Sequence, residues 1–71
     1  MQLTINGQPR DFPGLVAGTS LEQLIAALAL QGDRVAVEHN GEIVPRAGWG
    51  AAAVHENDRF EIVHFVGGGA A

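Results

Sequence analysis

Arg59-Phe60-Glu61-Ile62-Val63-His64-Phe65-Val66-Gly67-Gly68-Gly69 is the stretch on which the fold turns. Its apolar residues, Phe60, Ile62, Val63, Phe65 and Val66, predict a terminal β-strand over residues 59–66. With Phe60 and Ile62 turned toward a core, strand alternation sends Glu61, Val63 and Phe65 to the opposite face. The strand runs straight into three glycines, followed by Ala70 and Ala71. Glycine loses more backbone freedom on ordering than any other residue, which predicts a flexible tail over residues 67–71 behind a domain spanning residues 1–66. Such a thread, lacking side chains, fits a narrow channel in another protein and presents a carboxyl carbon with no Cβ beside it. Simple fraying at a terminus, or a remnant of expression, is the plain alternative.

Upstream, residues 2–6 alternate apolar and polar, and Asn6-Gly7 supplies the two residues that a type I′ turn needs at positive φ. Residues 8–12 then return antiparallel, and Pro9, which cannot donate to a ladder, marks that strand as an edge. Thr19 followed by Glu22 fits a capping box, Leu21, Leu24, Ile25 and Leu28 form one apolar helical stripe that belongs to a core, and Gly32 fits a left-handed helix stop. Val35 and Val37 alternate with Ala36 and Glu38 up to a second turn signal, Asn40-Gly41, and Ile43-Val44 is a short extended piece stopped by Pro45. Residues 47–55 read as irregular cover with Trp49 as a packing lid, and Asn57-Asp58 turns the chain into the last strand. This ββαββ plan, with a short extra strand before the last, predicts an α+β domain, a mixed four- to five-stranded sheet with one helix packed across one face. The apolar density of the last strand places it centrally, beside the first.

Composition narrows the function. Seventy-one residues make one small domain, and 46% hydrophobic against 17% charged residues favours a folded chain. The absence of cysteine rules out a disulfide framework, a thiolate metal site and a cysteine nucleophile. His39, His55 and His64 match no metal-ligand spacing, so no metal site is expected. Three glycines after a strand, with no helix and no Lys-Ser/Thr behind them, are not a phosphate loop. The net charge of −4, from eight acidic residues and four arginines, weakens any case for nucleic acid. No apolar stretch approaches ~18 residues and no secretory signal is visible, so no membrane partner and a cytoplasmic location are expected.

Ile43-Val44-Pro45-Arg46 followed by Trp49, then Asn57-Asp58, then an apolar strand ending in Val66-Gly67-Gly68-Gly69, resembles the thiamin-biosynthesis sulfur carriers of the ThiS family, which have the ubiquitin-like β-grasp fold. The likeness spans residues 1–69. The small subunit of molybdopterin synthase shares the fold and a Gly-Gly end, but is less similar around Pro45, Arg46 and Trp49.

The resemblance implies a protein co-substrate rather than an enzyme. A ThiF-like adenylating enzyme, which supplies ATP and Mg²⁺, would convert the Gly69 carboxylate into an acyl adenylate. Persulfide sulfur from a cysteine desulfurase relay would displace AMP, and the resulting thiocarboxylate would donate sulfur to a ThiG-like thiazole synthase. The chain itself would bind no cofactor and have no catalytic residue. Gly67 and Gly68 would thread the partner's active site, while Val63, Phe65 and Val66 would form the docking surface. The lack of lysine suits a protein whose own carboxyl group is activated, though drift from lysine to arginine is the simpler explanation.

One departure stands out, because family members end at the reactive glycine and here Ala70 and Ala71 follow it. The two alanines are trimmed, or are an expression remnant, or Ala71 is itself activated; a Cβ beside the reacting carbonyl disfavours the last. A sulfur carrier of another pathway, and a β-grasp interaction module with an inert tail, are the alternatives to a thiamin carrier.

Overall fold

The computed structural model describes residues 1–65, and within them the predicted plan is present. Strands β1 (Gln2–Ile5), β2 (Gln8–Asp11), β3 (Val35–His39), β4 (Glu42–Ile43) and β5 (Arg59–His64) build one sheet in the order β2-β1-β5-β3-β4, crossed on one face by helix α1 (Leu21–Ala27). β5 is central and runs parallel to β1, and the remaining pairs are antiparallel. This is the mixed five-stranded, one-helix sheet of the ubiquitin-like β-grasp fold.

Both Asn-Gly pairs make the predicted turns, with φ of 51° at Asn6, 79° at Gly7, 50° at Asn40 and 90° at Gly41. Pro9 lies opposite Thr4 on the edge strand β2, where its missing N–H costs no ladder bond to a further strand. The parallel and antiparallel ladders fix the faces: Leu3, Ile5, Val35, Val37, Phe60 and Ile62 point to α1, where Leu21, Leu24 and Ile25 complete a buried core with Val54 and Trp49.

The helix boundaries differ from the sequence reading. Ser20, not Thr19, is the N-cap: its hydroxyl accepts from the Gln23 N–H at 3.1 Å, and the Gln23 side chain accepts from the Ser20 N–H at 3.0 Å. Thr19 is committed elsewhere, since its carbonyl accepts from Val54 N–H at 2.7 Å while Leu21 N–H donates to Ala52 at 2.8 Å. This strand-like pairing with residues 52–54 delays the helix by one residue. At the other end the left-handed residue is Ala29, φ 59°, not Gly32. Its N–H donates to Ala26 and that of Leu30 to Ile25, the paired bonds that close a helix at a left-handed C′ residue. Leu28 therefore sits at the C-cap and is only half-buried. β4 begins one residue earlier than the Ile43-Val44 piece, although Val44 N–H still donates to Val37 at 3.0 Å. β5 ends at His64 rather than at residue 66.

Trp49 is more than a lid. It is 3% exposed and belongs to the core, with its Nε1–H donating to the Val44 carbonyl at 2.9 Å. No helix among the described residues is long and apolar enough to cross a membrane.

Candidate functional site

The candidate site lies where the central strand approaches the glycine run. β1 ends at Ile5, so the second half of β5 would lack a neighbour on that side. Asn6 fills the gap with its side chain: Oδ1 accepts from Ile62 N–H at 2.6 Å and Nδ2 donates to Ile62 C=O at 3.1 Å. Only an amide offers both a donor and an acceptor in that arrangement, so asparagine extends the sheet where backbone is missing. On the other side β3 accompanies β5 through Val35 opposite His64, and the Arg34 carbonyl accepts from Phe65 N–H at 2.8 Å. The end of the strand is thus held from both flanks. Sequence reading had given Asn6 a turn role alone; its long-range pairing to Ile62 has no local signal.

The face away from α1 is open. Val63 is 60% and Phe65 56% exposed, as the alternation of Phe60 and Ile62 requires. Ala36 lies opposite Val63, and Ile43, 73% exposed, lies opposite Glu38 on the same face. Glu38 itself faces Glu61 across the β3-β5 ladder. Val63 and Phe65 therefore make an apolar patch at the end of β5, and Ile43 lies two strands away beyond the Glu38–Glu61 pair. Exposed apolar residues beside carboxylates have the composition of a protein-docking surface more than of a small-molecule pocket. Val66, Gly67, Gly68 and Gly69, and with them the domain boundary after residue 66, lie outside the described residues.

The histidines do not converge. His39 and His64 are not cross-strand neighbours, because the register sets His39 opposite Phe60 and His64 opposite Val35, at opposite ends of the ladder. Among the described residues no three His, Cys, Asp or Glu side chains are grouped to hold a metal ion. His39 instead stacks on Phe60 with ring centroids 4.5 Å apart, and its Nε2 contacts Asp58 Oδ2 at 2.7 Å. Asp58 also accepts from His55 N–H at 2.9 Å and from the Asn40 amide at 3.1 Å. Burial by itself pushes this carboxyl up, but the hydrogen bonds from His39, His55 and Asn40 and the attraction of His39 together hold it below the ordinary aspartate value. Asn40 further accepts from Arg59 N–H at 2.9 Å. The cluster ties the β3-β4 turn to the start of β5, at the end of that strand remote from the glycine run, and its role is structural.

A β-grasp domain with a central strand that leads from an open apolar face into a glycine run is the class of protein these features define. The chain belongs to the ThiS family, whose sequence pattern matches residues 3–69. It is similar to the crystal structure of the thiamine biosynthesis protein ThiS from Geobacter metallireducens, at a TM-score of 0.83 and 37% identity over 97% of this chain and 100% of that one. Among sequences, it is 38% identical over 50 residues to the sulfur carrier protein ThiS of Bacillus subtilis, covering 70% of this chain and 76% of that protein. It is also 42% identical over 69 residues to a thiazole synthase of Magnetococcus marinus and 44% identical over 69 residues to one of Paramagnetospirillum magneticum. Each match covers 97% of this chain but 20% of the thiazole synthase, so the chain spans about a fifth of those relatives.

Proposed function

We propose that this chain is a sulfur carrier for thiazole formation in thiamin biosynthesis, a co-substrate rather than an enzyme, acting in the cytoplasm. The observation that carries the reading is the continuity of three features on one central strand: a doubly held end at Ile62 and Phe65, an apolar open face at Val63 and Phe65, and the glycine run immediately after. A carboxylate is a poor electrophile because its charge is delocalised and its leaving group is oxide. An adenylating enzyme with ATP and Mg²⁺ overcomes this at Gly69 by forming an acyl adenylate with release of pyrophosphate. The terminal sulfur of a persulfide from a cysteine desulfurase relay then attacks the acyl carbon and displaces AMP, and a thiol reduces the resulting acyl disulfide to the thiocarboxylate. The chain contributes binding and placement: Val63, Phe65 and Val66 dock, and Gly67 and Gly68 enter the partner's channel.

A thiazole synthase is the proposed acceptor of the sulfur. Two relatives of that name contain a segment similar to this whole domain, which supports the domain and the synthase working on one another. The test is adenylation of three forms of the chain. A chain ending at Gly69 is adenylated readily, one ending at Ala71 poorly, and Gly69→Val in the shorter form blocks thiocarboxylate formation while the domain stays folded. The two alanines add roughly 7 Å of reach, enough to carry the reacting carbon past a site built for glycine. Equal activation of the forms ending at Gly69 and Ala71 would reassign the reaction to Ala71.

A further inference from the structure

Val44-Pro45-Arg46 and Trp49 form the most distinctive motif in the chain, and nothing in the carrier chemistry uses it. The Trp49 indole closes the turn on itself through its bond to the Val44 carbonyl at 2.9 Å, across the 3₁₀ turn Arg46–Gly48. The ring and the Arg46 side chain lie against Gly32. A methyl group built on that glycine would sit 3.1 Å from Trp49 Cζ3, tighter than side-chain carbons ordinarily pack, and 3.4 Å from Arg46 Nε, an ordinary contact. Gly32 is thus a glycine for space, not for a left-handed backbone.

What Gly32 supports is the 3₁₀ turn Gly32–Arg34, closed by the Arg34 N–H to Gln31 C=O bond at 2.9 Å. The last residue of that turn, Arg34, provides the carbonyl that holds Phe65 N–H at 2.8 Å. On the β1 side the side-chain bridge from Asn6 reaches only Ile62, three residues short. Among the described residues, Arg34 C=O is the backbone anchor nearest the glycine run. Trp49 and Arg46 thus lie beside Gly32, Gly32 opens the turn, and the turn ends on the residue that holds Phe65.

We propose that Trp49, Arg46 and Gly32 form a positioning unit that fixes the root of the glycine run through the Arg34-Phe65 bond. The proposal deepens the carrier reading and rests on it. The three residues touch no reacting atom; they act by aiming the strand end, and displacement of a reacting group by about 1 Å from far away can cost about a hundredfold in rate.

The experiment compares Gly32→Ala, Trp49→Phe and the double variant. Phenylalanine removes the ring atom that the new methyl would meet, so it makes room for it. Amide exchange at Phe65 is read against Leu24 and Val37 in the core, and adenylation by a ThiF-like enzyme with ATP and Mg²⁺ is read as kcat and KM separately. In Gly32→Ala, Phe65 should exchange about tenfold faster relative to Leu24, and kcat should fall about tenfold or more, with any rise in KM smaller than that fall, since Val63 keeps its place on the docking face while Phe65 loosens. Trp49→Phe loses the indole bond to Val44 and should itself loosen Phe65, but adding Gly32→Ala to it should cost little more, because the ring atom the methyl would meet is gone, a coupling that independent packing defects would not give. Exchange that rises equally at Leu24, Val37 and Phe65, or a Gly32→Ala effect in the Trp49→Phe background as large as in the wild type, overturns the positioning role and leaves these residues as core packing. A wild-type chain that is never adenylated overturns the carrier reading instead, and the Phe65 comparison still decides whether the three residues set the strand end. Should Gly32→Ala fail to fold, Arg46→Ala, at an exposed side chain, is measured in its place, with unchanged Phe65 protection as the refuting result.

Discussion

Replacing Asp58 by alanine should cost more than any surface carboxylate of this domain normally would. The side chain is 13% exposed and accepts three hydrogen bonds, from His39 Nε2 at 2.7 Å, His55 N–H at 2.9 Å and the Asn40 amide at 3.1 Å. Bonds to an ionised acceptor each contribute about 1.5–3 kcal/mol, but these share one group, and their loss as a set is expected to cost about 2–4 kcal/mol. For a domain of this length that lowers Tm by at least about 8 °C. The pH dependence has a definite sign, because the folded carboxyl titrates below its unfolded value. Its contribution is complete above about pH 4, the unfolded value, and is lost as pH falls through the lower folded value. Urea unfolding of the wild type and Asp58→Ala across acidic pH measures both. A cost below about 0.5 kcal/mol, the range of ordinary surface substitutions, or a wild-type advantage that grows below pH 4, would refute the assignment of Asp58 as the clasp between the β3-β4 turn and β5.

Other consequences are as specific. Leu24→Ala, at a fully buried site, should cost about 2–5 kcal/mol in urea unfolding, and Leu28→Ala less, because Leu28 is half-buried at the C-cap. Ala29→Gly should stabilise the domain by about 0.5–1 kcal/mol, the relief of a left-handed alanine less the extra freedom of glycine in the unfolded chain; a lower Tm for that variant would contradict the helix-end geometry. Phe65→Asp should leave the circular dichroism melt near wild type and weaken binding to the adenylating enzyme in calorimetry, and unchanged affinity would remove the open face from the docking model.

Local signals carried the fold a long way. Two Asn-Gly pairs need positive φ and mark their turns without help from the rest of the chain, and the alternation around Phe60 and Ile62 already points Val63 and Phe65 outward. Where the reading slipped, a distant residue decided the matter. Thr19 carries a good capping hydroxyl, yet pairing of its carbonyl with Val54 moved the cap to Ser20. Gly32 looked like the helix stop because glycine most often is one, but the stop is Ala29, and Gly32 sits under the close approach of Trp49 from seventeen positions further on. The Asn6 bridge to Ile62 and the Asp58 cluster join residues 56 and 19 apart, beyond any window of local sequence. For the candidate site, strand alternation made the Val63 and Phe65 face legible. The chemistry assigned to Gly67, Gly68 and Gly69 came from resemblance and rests on residues outside those described.

The central claim is that the carboxyl group at the end of the glycine run is converted to a thiocarboxylate. The direct measurement is the intact mass of the chain ending at Gly69 after incubation with a ThiF-like adenylating enzyme, a cysteine desulfurase with its sulfur relay, cysteine, ATP and Mg²⁺. The account predicts a product in which one oxygen has been exchanged for sulfur, located by fragmentation to the last residue, and absent when ATP is withheld. A mass that stays unmodified while the adenylating enzyme consumes ATP with an established carrier in the same mixture would contradict it.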